Sequence, residues 1–82
     1  MQMSGSGGIK VKQVIRFLQS NGWTLDRING DHGKFSQPGN PMKISVPGVN
    51  QINRAISPGV FGQISRILGI GSQNLIEQIR QL

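Results

Sequence analysis

The spacing of apolar residues first becomes regular after residue 9, where it follows the period of an α-helix. Four apolar side chains recur at i, i+3, i+4 and i+7, which places them on one side of a helix: Val11, Val14, Ile15 and Leu18. Asn21-Gly22 comes next and is typical of a left-handed helix C-cap, after which Trp23 can pack back onto the last turn. The pattern predicts a helix over residues 10–20.

The following stretch alternates between apolar and polar residues, which is the period of a β-strand. Strands are predicted over residues 23–28, 32–37 and 42–46. Asn29-Gly30 separates the first two and favours a tight hairpin in which both central residues need positive φ. A second turn is indicated by Pro38-Gly39-Asn40-Pro41. Strands joined in this way form an antiparallel meander with one apolar and one polar face.

The alternation assigns the residues of each strand to one of these two faces. Phe35 shares the apolar face with Gly33, and the third strand is expected to turn Met42, Ile44 and Val46 inward. In the first strand the alternation is imperfect, so its register stays open.

Two further helices are predicted after a loop at residues 47–56. Ser57-Pro58 favours a helix with Ser57 as the N-cap and Pro58 in the first position, and Gly69 ends it. Ser72 can cap a last short helix. The two apolar stripes are Val60, Phe61, Ile64, Ile67 and Leu68, then Leu75, Ile76, Ile79 and Leu82. The predicted fold class is α+β, in the order α-β-β-β-α plus a short C-terminal helix, with the helices on one face of a three-stranded antiparallel sheet.

Length and composition limit both the architecture and the chemistry. A chain of 82 residues makes one domain, which we assign to residues 9–82, after a Gly/Ser-rich lead-in at residues 1–8 that we expect to be flexible. The sequence has no cysteine, which excludes disulfides, thiolate metal sites and cysteine nucleophiles. Its single histidine excludes a multi-histidine metal site. We expect neither a metal nor any other cofactor.

Charge and hydropathy indicate the kind of partner and the location. Nine Lys+Arg against three Asp+Glu give a formal net charge of +6, which on so short a chain indicates a polyanionic partner. No apolar run reaches the ~18 residues of a membrane-spanning helix, and residues 1–8 lack the basic and apolar regions of a signal peptide. We therefore expect a cytoplasmic protein with no membrane partner.

The polar face of the predicted sheet gathers the side chains from which a nucleic-acid site can be built. His32 is the candidate catalytic residue, because it is the one side chain here that exchanges a proton near pH 7. The candidate RNA-binding residues are Lys34 and Ser36 on the second strand, Lys43 and Ser45 on the third, Arg27 on the first, depending on register, and Arg54 in the loop. The same residues also fit a tolerated polar histidine beside a turn and ordinary solvated charges on the strands.

One imidazole beside several cations suits the cleavage of an RNA phosphodiester. A neutral imidazole can take a proton from a hydroxyl, and cations stabilise the charge that grows on the phosphate in the transition state. The 2′-hydroxyl of RNA is an internal nucleophile next to the phosphorus, so neither a metal nor a covalent enzyme intermediate is needed. The composition is compatible with metal-free RNA cleavage.

Six short motifs follow one another in an order and at a spacing that carry a family resemblance: Val11 to Leu18, Asn21-Gly22-Trp23, Gly30 to Phe35, Ile44 to Pro47, Ser57-Pro58-Gly59 and Ile64 to Leu68. Over residues 10–82 this arrangement resembles the small HicA-type toxins, which are the mRNA interferases of toxin–antitoxin pairs.

The resemblance implies a fold like that of double-stranded-RNA-binding domains (dsRBD-like) and one catalytic histidine in a turn entering the second strand, which falls on His32. It also implies cleavage of mRNA and a cognate antitoxin of the HicB type that covers the site. Asp31 stands where serine is common in the family, and Gly33 where a second histidine or another polar residue is frequent. The loop at residues 48–56 is poorer in lysine than usual. We therefore expect weaker RNA affinity or turnover, or a different selectivity.

Three functions follow as competing hypotheses. The first is the toxin of a toxin–antitoxin system, a metal-independent endoribonuclease that cleaves mRNA and is restrained by an acidic antitoxin protein. The second is a non-catalytic RNA-binding module of dsRBD-like fold, whose basic surface only grips the A-form backbone. The third is a protein-interaction domain whose charge is recognised by an acidic partner.

Overall fold

Within residues 8–82, which the computed structural model describes, the chain forms three helices and one antiparallel three-stranded sheet. In chain order the elements are α1 Val11–Ser20, β1 Thr24–Asn29, β2 His32–Ser36, β3 Ile44–Pro47, α2 Gly59–Leu68 and α3 Ser72–Arg80. The strands lie side by side in the order β1-β2-β3. The predicted α+β class and element order are confirmed. Residues 1–7 of the expected lead-in lie outside the described residues.

The end of α1 forms as the sequence predicts. Gly22 adopts a φ of +86°, and its N–H donates to the carbonyl oxygen of Gln19 at 3.2 Å. The N–H of Trp23 donates to the carbonyl oxygen of Leu18 at 3.0 Å. These two bonds are the Schellman pattern of helix termination, and both Trp23 and Leu18 are fully buried. The chain therefore turns from α1 into β1 with its tryptophan inside the core.

The core lies on one face of the sheet. Phe35, Ile44 and Val46 of β2 and β3 are at most 1% exposed. The helices contribute the buried residues of their apolar stripes: Val11, Val14, Phe17, Leu18, Val60, Phe61, Ile64, Leu75, Ile76 and Ile79. No polar or charged residue is buried within residues 8–82. The charged groups of this part of the chain are therefore accessible to solvent or to a partner.

The hairpin between β1 and β2 is offset by one residue from the predicted one. Asn29 pairs with His32, so the two central residues of the turn are Gly30 and Asp31. Gly30 has a φ of +67° and Asp31 has a negative φ, which is the pattern of a type II′ turn with glycine first. The prediction of Asn29-Gly30 as the central pair was therefore wrong, and Asp31 becomes a turn residue next to the first residue of β2.

A β-bulge in β1 decides which way Arg27 faces. Leu25 pairs with Phe35 and Arg27 pairs with Lys34, while Asp26 between them has no partner in the register. In a regular strand Arg27 would share the core-side face with Leu25. The extra residue of the bulge shifts the alternation, so Arg27 lies on the polar face, like its partner Lys34.

β3 begins two residues later than predicted, at Ile44. Met42 precedes the strand and is 53% exposed, so its predicted place in the core was wrong. The outer edge of β3 is partly covered by α2, because the side-chain amide of Gln63 bonds the backbone N–H and carbonyl oxygen of Ser45 at 2.9 and 3.0 Å. Gln63 thus satisfies groups that another strand would otherwise pair with.

The two C-terminal helices begin with other caps than predicted. Pro58, and not Ser57, is the N-cap of α2, and Gly71, and not Ser72, is the N-cap of α3. Gly69 ends α2 with a φ of +73°, as predicted. Leu82, expected in the last apolar stripe, lies beyond α3 and is 53% exposed.

Candidate nucleic-acid interface

The polar face of the sheet brings three of the predicted site residues into one row across the strands. Arg27 of β1 pairs with Lys34 of β2, which pairs with Ser45 of β3. Directly opposite residues have Cβ atoms about 4.5–5.5 Å apart on one face of a sheet, so the two cations lie side by side. Like charges in this position destabilise a sheet, and a bound anion would remove that repulsion.

Asp26, the bulge residue, lies beside this row and binds two other predicted site residues. Its carboxylate accepts hydrogen bonds from Ser36 Oγ at 2.7 Å and from Lys43 Nζ at 2.9 Å. The bond from Lys43, and then that from Ser36, lowers the pKa of Asp26 below its ordinary value of 3.8. The side chains of Lys43 and Ser36 are therefore already bound to a carboxylate of the protein itself.

Arg27 and Lys34 are more available than Lys43. Within residues 8–82 neither side chain makes a hydrogen bond or an ion pair. Together with Asp26 and Lys43 they line an open depression of about 430 Å³. Three of its four lining residues are cations, which is the composition expected of a site for a phosphate group.

His32 stands at the start of β2 and faces the same side of the sheet as Lys34, two residues along the strand. Residues at this spacing are about 6–7 Å apart. Asn29 of β1 and Pro47 of β3 pair with His32 on either side. The imidazole is 52% exposed, and its Nδ1 lies 2.9 Å from Oδ1 of Asp31. The ring is thus open to a substrate, while one of its nitrogens is engaged with a carboxylate.

Gly33 lies between His32 and Lys34 and faces the core side of the sheet, where it is buried. A Cβ at this position would lie 2.8 Å from Val49 Cγ1 and 3.1 Å from Leu25 Cδ1. Both distances are too short for a side chain without movement of its neighbours. The absence of a polar side chain at residue 33 therefore has a packing cause.

Arg54 lies on the other side of the hairpin turn, in the loop that follows β3. Its Nη1 donates to Gln51 Oε1 at 3.1 Å. Together with Asp31 and Ser57 it contributes polar groups to a small cavity of about 130 Å³. Arg54 is therefore near Asp31 and does not line the depression between the sheet cations.

Across residues 8–82, His, Asp and Glu side chains form no group of three that could hold a metal ion. In the same part of the chain, no helix combines the length and the apolar character needed to cross a membrane.

Comparison with known families agrees with the resemblance carried by the sequence motifs. A family model described as "HicA toxin of bacterial toxin-antitoxin" matches residues 11–70, from the start of α1 to just past α2. The chain belongs to the HicA toxin family. It is therefore the toxin of a toxin–antitoxin system, with a cognate antitoxin as partner. Comparisons with curated proteins and with solved structures gave no match.

Sequence reasoning did not place two acidic residues in this HicA-family site. Asp31 contacts the histidine, and its position next to the only histidine was the available signal. Asp26 engages Lys43, which is 17 residues away in the sequence. No local pattern points to that pair, because the two residues meet only when the strands have paired.

Proposed function

We propose that the protein is an endoribonuclease that cleaves mRNA without a metal, with His32 as the catalytic base. The observation that carries this proposal is the position of the only histidine, exposed on the polar face and two residues along β2 from Lys34, which pairs with Arg27. Membership of a toxin family supports it. We also propose that the toxin acts in the cytoplasm, where mRNA is translated.

The proposed reaction is a transesterification within the RNA chain. His32 removes the proton of a 2′-hydroxyl, the 2′-oxygen attacks the neighbouring phosphorus, and the bond from phosphorus to the 5′-oxygen breaks. The protonated imidazole or water returns a proton to that oxygen. The products are a 2′,3′-cyclic phosphate and a 5′-hydroxyl. Because nucleophile and phosphorus belong to the same nucleotide, one base and positioned cations suffice.

The cations have distinct proposed roles that follow from their places. Arg27 and Lys34 bind the scissile phosphate and stabilise its growing negative charge. Arg54 binds the RNA backbone on the other side of the hairpin turn. Ser45, which lies in the row of Lys34, is a further candidate contact on the sheet. Ser36 and Lys43 are candidates as well, and RNA competes with Asp26 for them.

The alternative is a non-catalytic RNA-binding module of dsRBD-like fold. The row of Arg27 and Lys34 favours it, because paired cations can grip a phosphate backbone whether or not a histidine lies beside them.

Replacing the histidine separates the two functions. His32→Ala should abolish RNA cleavage and growth inhibition, while folding and RNA binding persist because the side chain is half exposed and outside the core. Asn29→Ala is the matched control, since Asn29 is exposed and lies directly opposite His32. If His32→Ala cuts RNA as fast as the parent, His32 is not the base. If the parent binds RNA and never cuts it, the binding module is correct.

The substrate requirements test the proposed chemistry. Cleavage should continue in EDTA, because no step uses a metal. It should stop when the nucleotide 5′ of the cleaved bond carries a 2′-deoxy sugar, because that sugar lacks the nucleophile. Cleavage of the deoxy substrate, or loss of activity in EDTA, would reject this mechanism.

We propose that the cognate antitoxin is an acidic protein of the HicB type that covers the face around His32. The net charge of +6 favours fast encounter with an acidic partner, and the open face leaves the imidazole unprotected by the chain itself. Hydrogen exchange on the toxin–antitoxin complex should show protection of β1 and β2. Protection confined to α1 and α3, with RNA still cut, would contradict inhibition by covering the site.

A further inference from the structure

We propose that Asp31 is a positioning residue for His32: its carboxylate holds the neutral imidazole as the Nδ1–H tautomer, which leaves Nε2 as the proton acceptor. The inference rests on the proposed function, in which His32 takes a proton from RNA. It identifies Nε2 as the atom that takes the proton and Asp31 as the residue that selects this atom.

The contact favours one tautomer. Nδ1 of His32 lies 2.9 Å from Oδ1 of Asp31, an ion-pair contact between the ring and the carboxylate. An ionised carboxylate is negative and has only acceptor atoms, so it favours the hydrogen on the nitrogen that faces it. A neutral imidazole has one N–H, and Nε2 is therefore the nitrogen with a free lone pair. The free nitrogen lies on the side of the ring away from Asp31.

The backbone of the turn holds Asp31 in place. The carbonyl oxygen of Asp31 accepts hydrogen bonds from the N–H groups of Gly48 at 2.8 Å and Val49 at 3.0 Å. The side-chain amide of Asn50 donates to the carbonyl oxygen of Gly30 at 3.1 Å. Gly48 makes this approach possible with a φ of +84°. The turn is thus fastened to the loop after β3, and the carboxylate projects from a fixed backbone.

The other groups around the ring do not compete for Nδ1. Lys34 is the nearest charged residue on the same face of β2, and its ammonium group has no acceptor. Asn29 and Pro47 lie across the neighbouring strands. Within residues 8–82 the contact with Asp31 is the one side-chain bond or ion pair of His32. The tautomer therefore depends on this single carboxylate.

Nitrogen-15 NMR tests the proposal directly, because the only histidine gives one set of ring signals. At a pH where the ring is neutral, Nδ1 should show the shift of a protonated nitrogen and Nε2 that of an unprotonated one. In Asp31→Asn the amide can donate to Nδ1, so the tautomer should reverse. Asp31→Ala should return to the Nε2–H form that free histidine prefers in water. Asp26→Asn is the matched control, since it removes a carboxylate from the same face without a contact to the ring.

Kinetics give the second measurement. We expect Asp31→Asn to lower kcat about five-fold, which corresponds to about 1 kcal/mol, the upper range for an exposed ion pair. KM should stay the same or fall, because removing a carboxylate takes away no contact with a polyanion. Damage to the turn would instead raise KM by displacing His32 and its neighbours.

The outcomes separate this proposal from the proposed function. An Nε2–H tautomer in the wild-type protein, or an Nδ1–H tautomer that persists in both Asp31 variants, overturns the role of Asp31. A rise in KM with unchanged kcat in Asp31→Asn also overturns it. Failure of the wild-type protein to cut RNA overturns the proposed function instead, because the tautomer is measured without RNA.

Discussion

Replacing Asp26 with asparagine is expected to strengthen RNA binding. The carboxylate of Asp26 binds Lys43, a cation that RNA would otherwise bind. Its carboxylate holds Lys43 at 2.9 Å and lines the same depression as Arg27 and Lys34. Asparagine keeps the size of the side chain and an acceptor oxygen, but it removes the charge that attracts the ammonium group. Lys43 then becomes available to a phosphate.

The salt dependence of binding measures the size of this effect. Each phosphate neutralised on a single strand contributes about −0.7 to the slope of log K against log salt concentration. With Lys43 engaged by Asp26, the scissile phosphate bound by Arg27 and Lys34 and a second phosphate bound by Arg54 give a slope of about −1.4 for the wild type. With Lys43 released, a third phosphate gives about −2.

The assay is fluorescence anisotropy with a labelled single-stranded RNA, titrated between roughly 50 and 200 mM salt. All proteins carry His32→Ala so that the RNA is not cut. Lys43→Ala is the matched control: alone it should leave the slope unchanged, and combined with Asp26→Asn it should cancel the gain. A slope that Asp26→Asn does not change refutes the idea that Asp26 withholds Lys43. A slope near zero in every variant refutes RNA binding by this face.

Three further predictions concern the fold that carries the site. Gly33→Ala should lower the free energy of unfolding by about 1–3 kcal/mol, since the new Cβ meets the stiff side chain of Val49; an unchanged denaturant midpoint would contradict this. Phe35→Ala should lower the free energy of unfolding by about 3–5 kcal/mol in the same titration, because Phe35 is 1% exposed. A smaller loss would mean that neighbouring core residues move into the space left by the ring. The lowered pKa of Asp26 adds stability that is present above pH 3.8 and is lost as the pH falls through the folded-state value. The stability difference between wild type and Asp26→Asn should therefore shrink in acid, whereas a constant difference would show that charge is not its cause.

The parts of this protein that depend on short stretches of chain were predictable from the sequence. The end of α1 is an example, because the Schellman pattern needs only Gly22 at positive φ and an apolar residue after it. The shared face of His32 and Lys34 is another, since residues two apart on a strand always face the same side. The identity of the catalytic candidate and of one neighbouring cation therefore needed no tertiary information.

The hairpin turn shows where local information ends. Asn29-Gly30 and Gly30-Asp31 are both acceptable central pairs of a tight turn, because each supplies the glycine that positive φ requires. The choice between them follows from the pairing of the strands and from the hydrogen bonds that the N–H groups of Gly48 and Val49 donate to Asp31. Those donors lie in a loop that the turn meets only after the sheet has formed.

The bulge in β1 decided the rest of the site. Strict alternation would have left Arg27 on the core side, and one extra residue moved it beside Lys34. A bulge changes the pairing of two strands without changing the hydrophobic pattern of either one. The sequence alone therefore placed His32 and Lys34 on one face, whereas the strand register decided that Arg27 joins them and which charges are neighbours, because neighbours across a sheet come from distant parts of the chain.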